Sequence, residues 1–451
     1  MLKSALLKPY PNRHYPSASY GKGVFIYDSA GNQYLDGSSG AMTANIGHGV
    51  SEISEAIAAQ AKRLAFSYRT QFTNEPAEEL AAKLTALAPK NLDWAFFVNS
   101  GSEASEFAIR AALGHWRAQG KPRKTKVLSR RNSYHGMTMG ALSMSGHQGR
   151  RPDYGPLLHT FPVAPPAYAY RFANIGESEQ EYAKRAASEF EQAIINQDPE
   201  TVAAIIVEPI VGAAGGAIVP PQGYLPELRE ICDRHNVLLI FDEVITGVGR
   251  TGDWFACFDE QVVPDMLLAG KGLSAGYSPV GAVLLHQHMV AALQEKNMSA
   301  PFGHTFSGNP LGAAACLAVL ELLERDSVLD NVVERGKQLH AGLQCLAEKY
   351  SFMADIRGRG LLWGFEFVLD QATKLVPAPE HDAAGNFVQK CFEQGLIVYP
   401  AGIKPLNNAT IISPPMTIGV EEVELLLRKL DIALAEMEQD MRAWQLVATN
   451  S

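Results

Sequence analysis

Between residues 95 and 285, short runs of apolar residues alternate with longer segments in which apolar residues recur every three or four positions. The short runs are typical of strands buried on both faces of a sheet, and the longer pattern is typical of helices that cover it. Such alternation predicts an α/β protein with a largely parallel sheet. The predicted strands are Ala95 to Val98, Lys126 to Leu128, Ala203 to Val207, Val237 to Phe241, Met266 to Ala269 and Val280 to Leu285.

The two ends of the chain have other patterns. Residues 20–36 hold two aromatic and aliphatic runs around Asp-Ser-Ala-Gly-Asn, which predicts an N-terminal β-ribbon. A long surface loop is predicted over residues 163–182, and a strand of a second unit is predicted over residues 360–368. Helices are predicted over Ser51 to Leu64 and Glu75 to Leu87, and two more within 311–349.

Charge and cysteine usage exclude several classes of protein. Lysine and arginine number 39 against 48 acidic residues, so the net charge of −9 offers no bulk positive field for nucleic acid or an anionic membrane. The closest two of the five cysteines, Cys232 and Cys257, are 25 residues apart, so no paired metal-ligand spacing exists and no metal is expected. Without a secretory signal or an apolar run of about 18 residues, the chain is expected to be cytoplasmic with free thiols.

The segment Asn99 to Glu106, NSGSEASE, follows a predicted strand and opens a predicted helix. Ser100 and Glu103 have the spacing of a capping box, and Gly101 lets backbone amides approach an anion at the positive end of the helix. A phosphate would be well placed there. Taken alone, an ordinary capped helix explains the same residues.

Three further segments follow in a fixed order. Tyr134 and His135, in Ser133-Tyr-His-Gly136, could place an aromatic side chain against a flat ring, although loop packing explains them equally. Asp242 ends a strand that is apolar throughout, so its carboxylate needs a partner such as a cation or a cofactor nitrogen. Lys271 lies between two glycines at the end of the next strand, where burial can make an amine nucleophilic toward an aldehyde.

A phosphate cradle, a stacking aromatic, a carboxylate for a ring nitrogen and a Schiff-base lysine are together the parts that pyridoxal phosphate needs. With these motifs, the chain resembles the class III aminotransferases of the fold type I pyridoxal phosphate enzymes over nearly its whole length, and most of all their ω-amino acid:pyruvate branch. The other matching stretches are DGSSGAMTANIGH from Asp36 to His48, Glu208-Pro209, PPQGY from Pro220 to Tyr224, FDEVITGVGRTG from Phe241 to Gly252, HTFSGNP from His304 to Pro310, RGRG from Arg357 to Gly360 and Ser413-Pro-Pro415.

This resemblance implies an architecture and a division of the chain. It implies a large domain with a mostly parallel seven-stranded sheet, plus a smaller α+β domain built from both ends of the chain. Residues 1–65 are expected to contribute to the small domain, residues 66–325 to form the large domain that binds pyridoxal phosphate, and residues 326–451 to form the C-terminal small domain.

The resemblance also implies residue functions. Lys271 would hold the aldehyde of the cofactor, and Asp242 would pair with its pyridinium nitrogen. Tyr134 would stack on one face of the ring, with His135 beside it, and Val244 would cover the other face. The remaining cofactor residues implied are Ser100, Gly101 and Ser102 for the phosphate, Glu208 beside the ring oxygen, and Thr305, which would reach the phosphate held by the partner subunit of a homodimer.

The expected reaction is transfer of an amino group from an amine or an α- or ω-amino acid to a keto acid, in ping-pong order. Racemases, aminomutases and decarboxylases use the same scaffold and stay open as alternatives, as does a tetramer. Relatives that use 2-oxoglutarate carry a gating glutamate at the position of Ala213, so its absence favours pyruvate. Because the loop before Pro414 has no arginine, Arg69 and then Lys404 are the candidates for binding the substrate carboxylate.

Two other motif matches are decoys. Gly247-x-Gly249-x-x-Gly252 spells a dinucleotide fingerprint, but no helix pattern opens at its last glycine. Gly272-x-Ser274-x-Gly276 spells a nucleophile elbow, but His304 follows too soon for the chain order of such enzymes.

Overall fold

The computed structural model describes residues 5–301, 303–403 and 406–450. A seven-stranded sheet lies at its centre, and only one strand, β10, is antiparallel to its neighbours. The mostly parallel seven-stranded sheet is therefore confirmed. In spatial order its strands are β4 (Trp94–Val98), β10 (Gly281–Leu285), β9 (Met266–Ala269), β8 (Leu238–Asp242), β7 (Val202–Val207), β5 (Lys126–Arg130) and β6 (Val163–Ala164).

Two smaller sheets contain the other strands of the described residues. The first joins β1 (Ala18–Lys22), β2 (Phe25–Asp28), β3 (Gln33–Asp36) and β13 (Leu396–Ile397), and the second joins β11 (Met353–Arg359), β12 (Leu362–Phe367), β15 (Leu406–Ile412) and β14 (Tyr399–Ile403). Because β13 pairs with β3, segments from both ends of the chain share one sheet. The domain boundaries at residues 65 and 325 stay a prediction.

The helices of the described chain cover the sheets. They are α1 (Ser39–Met42), α2 (Ser51–Arg63), α3 (Glu75–Leu87), α4 (Gly101–Ala118), α5 (Met139–Met144), α6 (Ala169–Phe172), α7 (Glu179–Asn196), α8 (Tyr224–Arg234), α9 (Gln287–Glu295), α10 (Pro310–Arg325), α11 (Val328–Lys349), α12 (Ala383–Glu393) and α13 (Val420–Asn450). None of these helices is long and apolar enough to cross a membrane. Within the described chain, no three side chains among His, Cys, Asp and Glu are grouped as metal ligands.

Local sequence explains where α3 and α4 begin. The side chain of Asn74 accepts a hydrogen bond from the amide of Ala77, and Pro76 occupies the first turn, where its missing N–H costs nothing. Ser100 caps α4 in the same way, by accepting from the amide of Glu103. The Glu103 carboxylate does not return to Ser100 as a capping box requires but accepts from the amide of Asn99, 2.7 Å away.

The predicted surface loop over residues 163–182 is wrong in part. Residues 163–164 form β6, which pairs with β5 at the edge of the central sheet, and Tyr168 is buried. The Tyr168 hydroxyl lies 2.6 Å from Asp355 Oδ2 and 2.9 Å from Glu366 Oε2. A two-residue strand is too short to give a periodic pattern, and these polar partners come from a distant part of the chain.

Candidate active site

The four motifs meet at one edge of the central sheet. Strands β5, β8 and β9 are parallel, and two antiparallel steps through β10 leave β4 parallel to them as well. The carboxyl ends of these four strands therefore share one edge, which is where open α/β sheets bind ligands. A cavity of about 150 Å³ lies there, lined by Ser100, Gly101, Ser102, Tyr134, His135, Gly136, Glu208, Asp242, Val244, Ile245 and Lys271.

The lining of this cavity includes every predicted cofactor residue except Thr305. Gly136 and Ile245 were not predicted individually, although each adjoins a predicted residue in a recognised motif. Thr305 is exposed outside the cavity, on the loop where Phe306 contacts Phe66 edge to face.

The first turn of α4 forms part of the cavity wall. The amides at the start of a helix have no partner inside the helix, and the helix dipole adds positive potential there. At Gly101 an added Cβ would lie 3.1 Å from Val244 Cγ1, and at Gly136 it would lie 2.5 Å from Ser102 Oγ. A Cβ would therefore crowd Val244 at the first position and overlap Ser102 at the second, so glycine at both lets these parts of the cavity wall pack closely.

Asp242 is held by two donors. His135 Nδ1 lies 2.8 Å from Asp242 Oδ2, and the amide of Val244 donates to Oδ1 over 3.2 Å. An ionised carboxylate only accepts hydrogen bonds, so the imidazole carries its proton on Nδ1. His135 is in turn positioned by its backbone, since its amide donates to Ser145 Oγ and its carbonyl accepts from Ser105 Oγ. The carboxylate is thus oriented into the cavity at the end of β8.

Glu208 is a second buried carboxylate of the cavity. It accepts from the amide of Tyr134 over 2.9 Å and from the amide of Gly212 over 2.8 Å. Burial raises its pKa, and the nearby Asp242 charge adds to the rise, while His135 and the two amides oppose it. These contacts fix the backbone on which Tyr134 projects into the cavity.

Lys271 follows β9 with Gly270 between them, and its backbone has the left-handed value φ +42. Such a conformation costs energy in a residue with a side chain and is found most often at functional sites. Burial lowers the pKa of its amine to about 8, although the charges of Asp242 and Glu208 favour the protonated form. A substantial fraction of the amine is therefore neutral near pH 7 to 8.

The two residues predicted to bind a substrate carboxylate are not in this lining. The Arg69 guanidinium lies over the ring of Phe96, 5.1 Å from its centroid. Lys404 lies outside the described residues. Their predicted function stays a prediction.

The decoy motifs form ordinary turns. Gly249 and Gly252 both have positive φ, and the chain continues into a short turn rather than a helix. Ser274 donates its hydroxyl to the carbonyl of Ser278. Neither segment therefore provides a dinucleotide site or a nucleophile.

The cavity fits the cofactor that the resemblance implies. The glycine cradle suits a phosphate, and the oriented carboxylate of Asp242 suits a protonated ring nitrogen. The Lys271 amine, with its lowered pKa, suits an aldehyde. His135 Nε2 is buried and has no hydrogen-bond partner among the described residues, as expected where a polar ligand completes the site.

Comparison with known proteins agrees with this geometry. A family model described as aminotransferase class-III matches residues 10–434. An uncharacterized aminotransferase of Bacillus subtilis, YodT, is 41% identical, and the alignment covers 98% of this chain and 100% of that protein. A taurine–pyruvate aminotransferase of Rhodobacter capsulatus is 34% identical over 95% of this chain and 94% of its own. A crystal structure of the omega transaminase from Pseudomonas jessenii, in complex with PMP, superposes with a TM-score of 0.89 at 31% identity, covering 96% of this chain and 97% of that one.

Proposed function

The chain belongs to the class III aminotransferases, and from this premise we propose which of its residues carry the reaction and which acceptor it uses. It is a pyridoxal phosphate enzyme that moves an amino group from a donor to a keto acid. The observation that carries the assignment is the convergence of Lys271, Asp242 and the first turn of α4 on one cavity.

Bound pyridoxal phosphate supplies an electron sink for negative charge that develops on the substrate carbon bearing the amine. The chain's own residues then have separate tasks. Asp242, oriented by His135, holds the proton on the ring nitrogen. Lys271 Nζ, in its neutral form, would take a proton from the substrate carbon that bears the amine. As a general acid it would then deliver that proton to the former aldehyde carbon of the cofactor. Val244 and Tyr134 keep water away from the two faces of the site.

Pyruvate is proposed as the preferred acceptor. Position 213 is an alanine, so it offers no carboxylate to gate an arginine. Ala213 is buried, and its carbonyl accepts a hydrogen bond from the amide of Gly402 over 3.0 Å. The similarity to the taurine–pyruvate aminotransferase of Rhodobacter capsulatus, whose name gives pyruvate as a substrate, supports the same acceptor.

The test is a spectrophotometric screen of donors with pyruvate and with 2-oxoglutarate. Faster turnover with 2-oxoglutarate would contradict the proposal, and no turnover with any donor would contradict amino transfer itself.

A homodimer with shared active sites is proposed as the working unit. Thr305 is exposed and lies outside the cavity of its own chain, so it can serve a phosphate only across an interface. A dimer or a larger assembly of dimers meets this requirement, and a cytoplasmic location stays a prediction.

Hybrid dimers provide the test of shared sites. Lys271→Ala chains and Thr305→Val chains are each expected to be nearly inactive, because every site of either homodimer lacks one group. Mixing them through dissociation and reassociation should restore some activity, since one site of each hybrid then has both groups. A fully active monomer in sedimentation would contradict the proposal, as would a Thr305→Val enzyme with normal activity and cofactor affinity.

A further inference from the structure

An arginine that no sequence motif marks lies beside the cavity. Arg150 ends a short 3-10 turn, and its guanidinium lies over the ring of Tyr134, 4.4 Å from the centroid. The positive charge of Arg150 acts to lower the pKa of the Tyr134 hydroxyl, against the effect of burial. Tyr134 lines the cavity, so this contact places a positive charge directly beside a residue of the cavity wall.

The charge of Arg150 is not neutralised by the protein. In the described parts of the chain, no carboxylate lies within ion-pair distance of its guanidinium, whereas the neighbouring cations Arg151 and Arg130 are held by backbone carbonyls. Arg150 is half-buried, so water satisfies only some of its five donors. Its charge also reaches the reactive amine, because it contributes to lowering the pKa of Lys271.

The aromatic partner of this guanidinium is uncharged. Burial raises the pKa of Tyr134, despite the opposing charge of Arg150, so its hydroxyl stays protonated near neutral pH. A neutral phenol and a cation without a carboxylate partner together favour an anion. The planar fork of arginine suits a carboxylate in particular, since it can donate two parallel hydrogen bonds.

We propose that Arg150 is the residue that binds the carboxylate of the amino acid donor and of the keto acid acceptor, with its guanidinium held on the face of Tyr134. The inference rests on the proposed function and names the group that would recognise the carboxylate of its acid substrates. We favour it over Arg69 because Arg150 lies on Tyr134, which lines the cavity, whereas Arg69 lies on Phe96, which does not.

Matched substrates can isolate this contact. L-Alanine and isopropylamine differ only in a carboxylate replaced by a methyl group, and pyruvate and acetone differ in the same way. Each half-reaction of the holoenzyme is followed in single turnovers by the absorbance of the cofactor. Arg150→Gln should raise the half-saturating concentrations of alanine and pyruvate roughly 10- to 100-fold, the loss expected for hydrogen bonds to a charged group. Reaction with isopropylamine and acetone should be unchanged.

Two control variants distinguish this function from a purely structural one. Arg150→Lys keeps the charge without the fork and should recover part of the affinity for both acids. Arg123→Gln removes an exposed arginine before β5, at the opposite edge of the sheet, and should change nothing.

Three outcomes would overturn the inference. One is an Arg150→Gln enzyme in which the charged and uncharged substrates are affected equally, which would mean that Arg150 only supports Tyr134. The second is an Arg69→Gln enzyme that selectively loses affinity for alanine and pyruvate while Arg150→Gln does not. The third is the same selective loss in Lys404→Gln. If the unchanged enzyme converts its cofactor with none of the four compounds, the proposed function fails instead.

Discussion

Replacing Lys271 by alanine is expected to lower kcat by at least about 10³-fold, because the variant loses both the attachment point of the cofactor and the group that moves the substrate proton. The backbone should tolerate the change, because lysine and alanine both carry a Cβ and therefore have nearly the same conformational cost at φ +42. Steady-state turnover with the best donor and pyruvate measures the effect. Lys296→Ala, a change at an exposed lysine, should retain full activity.

Chemical labelling identifies the same lysine without relying on activity. The purified protein should be yellow, and borohydride reduction followed by peptide mapping should place the pyridoxyl group on Lys271. A label on any other lysine, or normal turnover by Lys271→Ala, would show that the assignment is wrong.

The pKa of Lys271 also predicts a pH dependence. Only the neutral amine can bond to an aldehyde carbon, and a pKa of about 8 leaves roughly a tenth of the amine neutral at pH 7. The rate at which the cofactor-free protein takes up pyridoxal phosphate should therefore rise with pH and level off above about 8. An unperturbed lysine would continue to rise toward pH 10, and that result would show that burial does not activate this amine.

Replacing Asp242 by asparagine is expected to cost several powers of ten in kcat while much of the cofactor stays bound. Asparagine has nearly the same shape but cannot hold the proton on the ring nitrogen. The loss corresponds to about 4 kcal/mol or more of transition-state stabilisation, at about 1.4 kcal/mol for each tenfold. Turnover is compared with the bound cofactor, measured by absorbance. A loss of less than tenfold would refute this function.

His135 provides the control for this prediction. It orients Asp242 through Nδ1 but does not itself hold the proton on the ring nitrogen, so His135→Gln should reduce kcat less than Asp242→Asn does. Because His135 acts through the aspartate, adding His135→Gln to Asp242→Asn should have little further effect. Fully additive losses would mean that the imidazole acts independently of the carboxylate.

The sequence by itself determined the class of fold and most of the cavity. The apolar runs of β7, β8 and β9 are readable because every residue of these strands is buried, which leaves a continuous local pattern. Asp242 and Lys271 were identifiable because each polar residue interrupts such a pattern at its carboxyl end. Topology then requires that they meet, since adjacent parallel strands end at the same edge of a sheet.

Only the tertiary structure decided the features that depend on long-range contacts. The two-residue strand β6 exists because β5 offers a free edge, and residues 163–182 carry no local sign of that pairing. The position of Arg150 on Tyr134 likewise could not be predicted, because a turn 16 residues further along the chain must fold back to bring them together. Periodicity and motifs report what each segment buries, whereas a contact between two segments depends on how the whole chain packs.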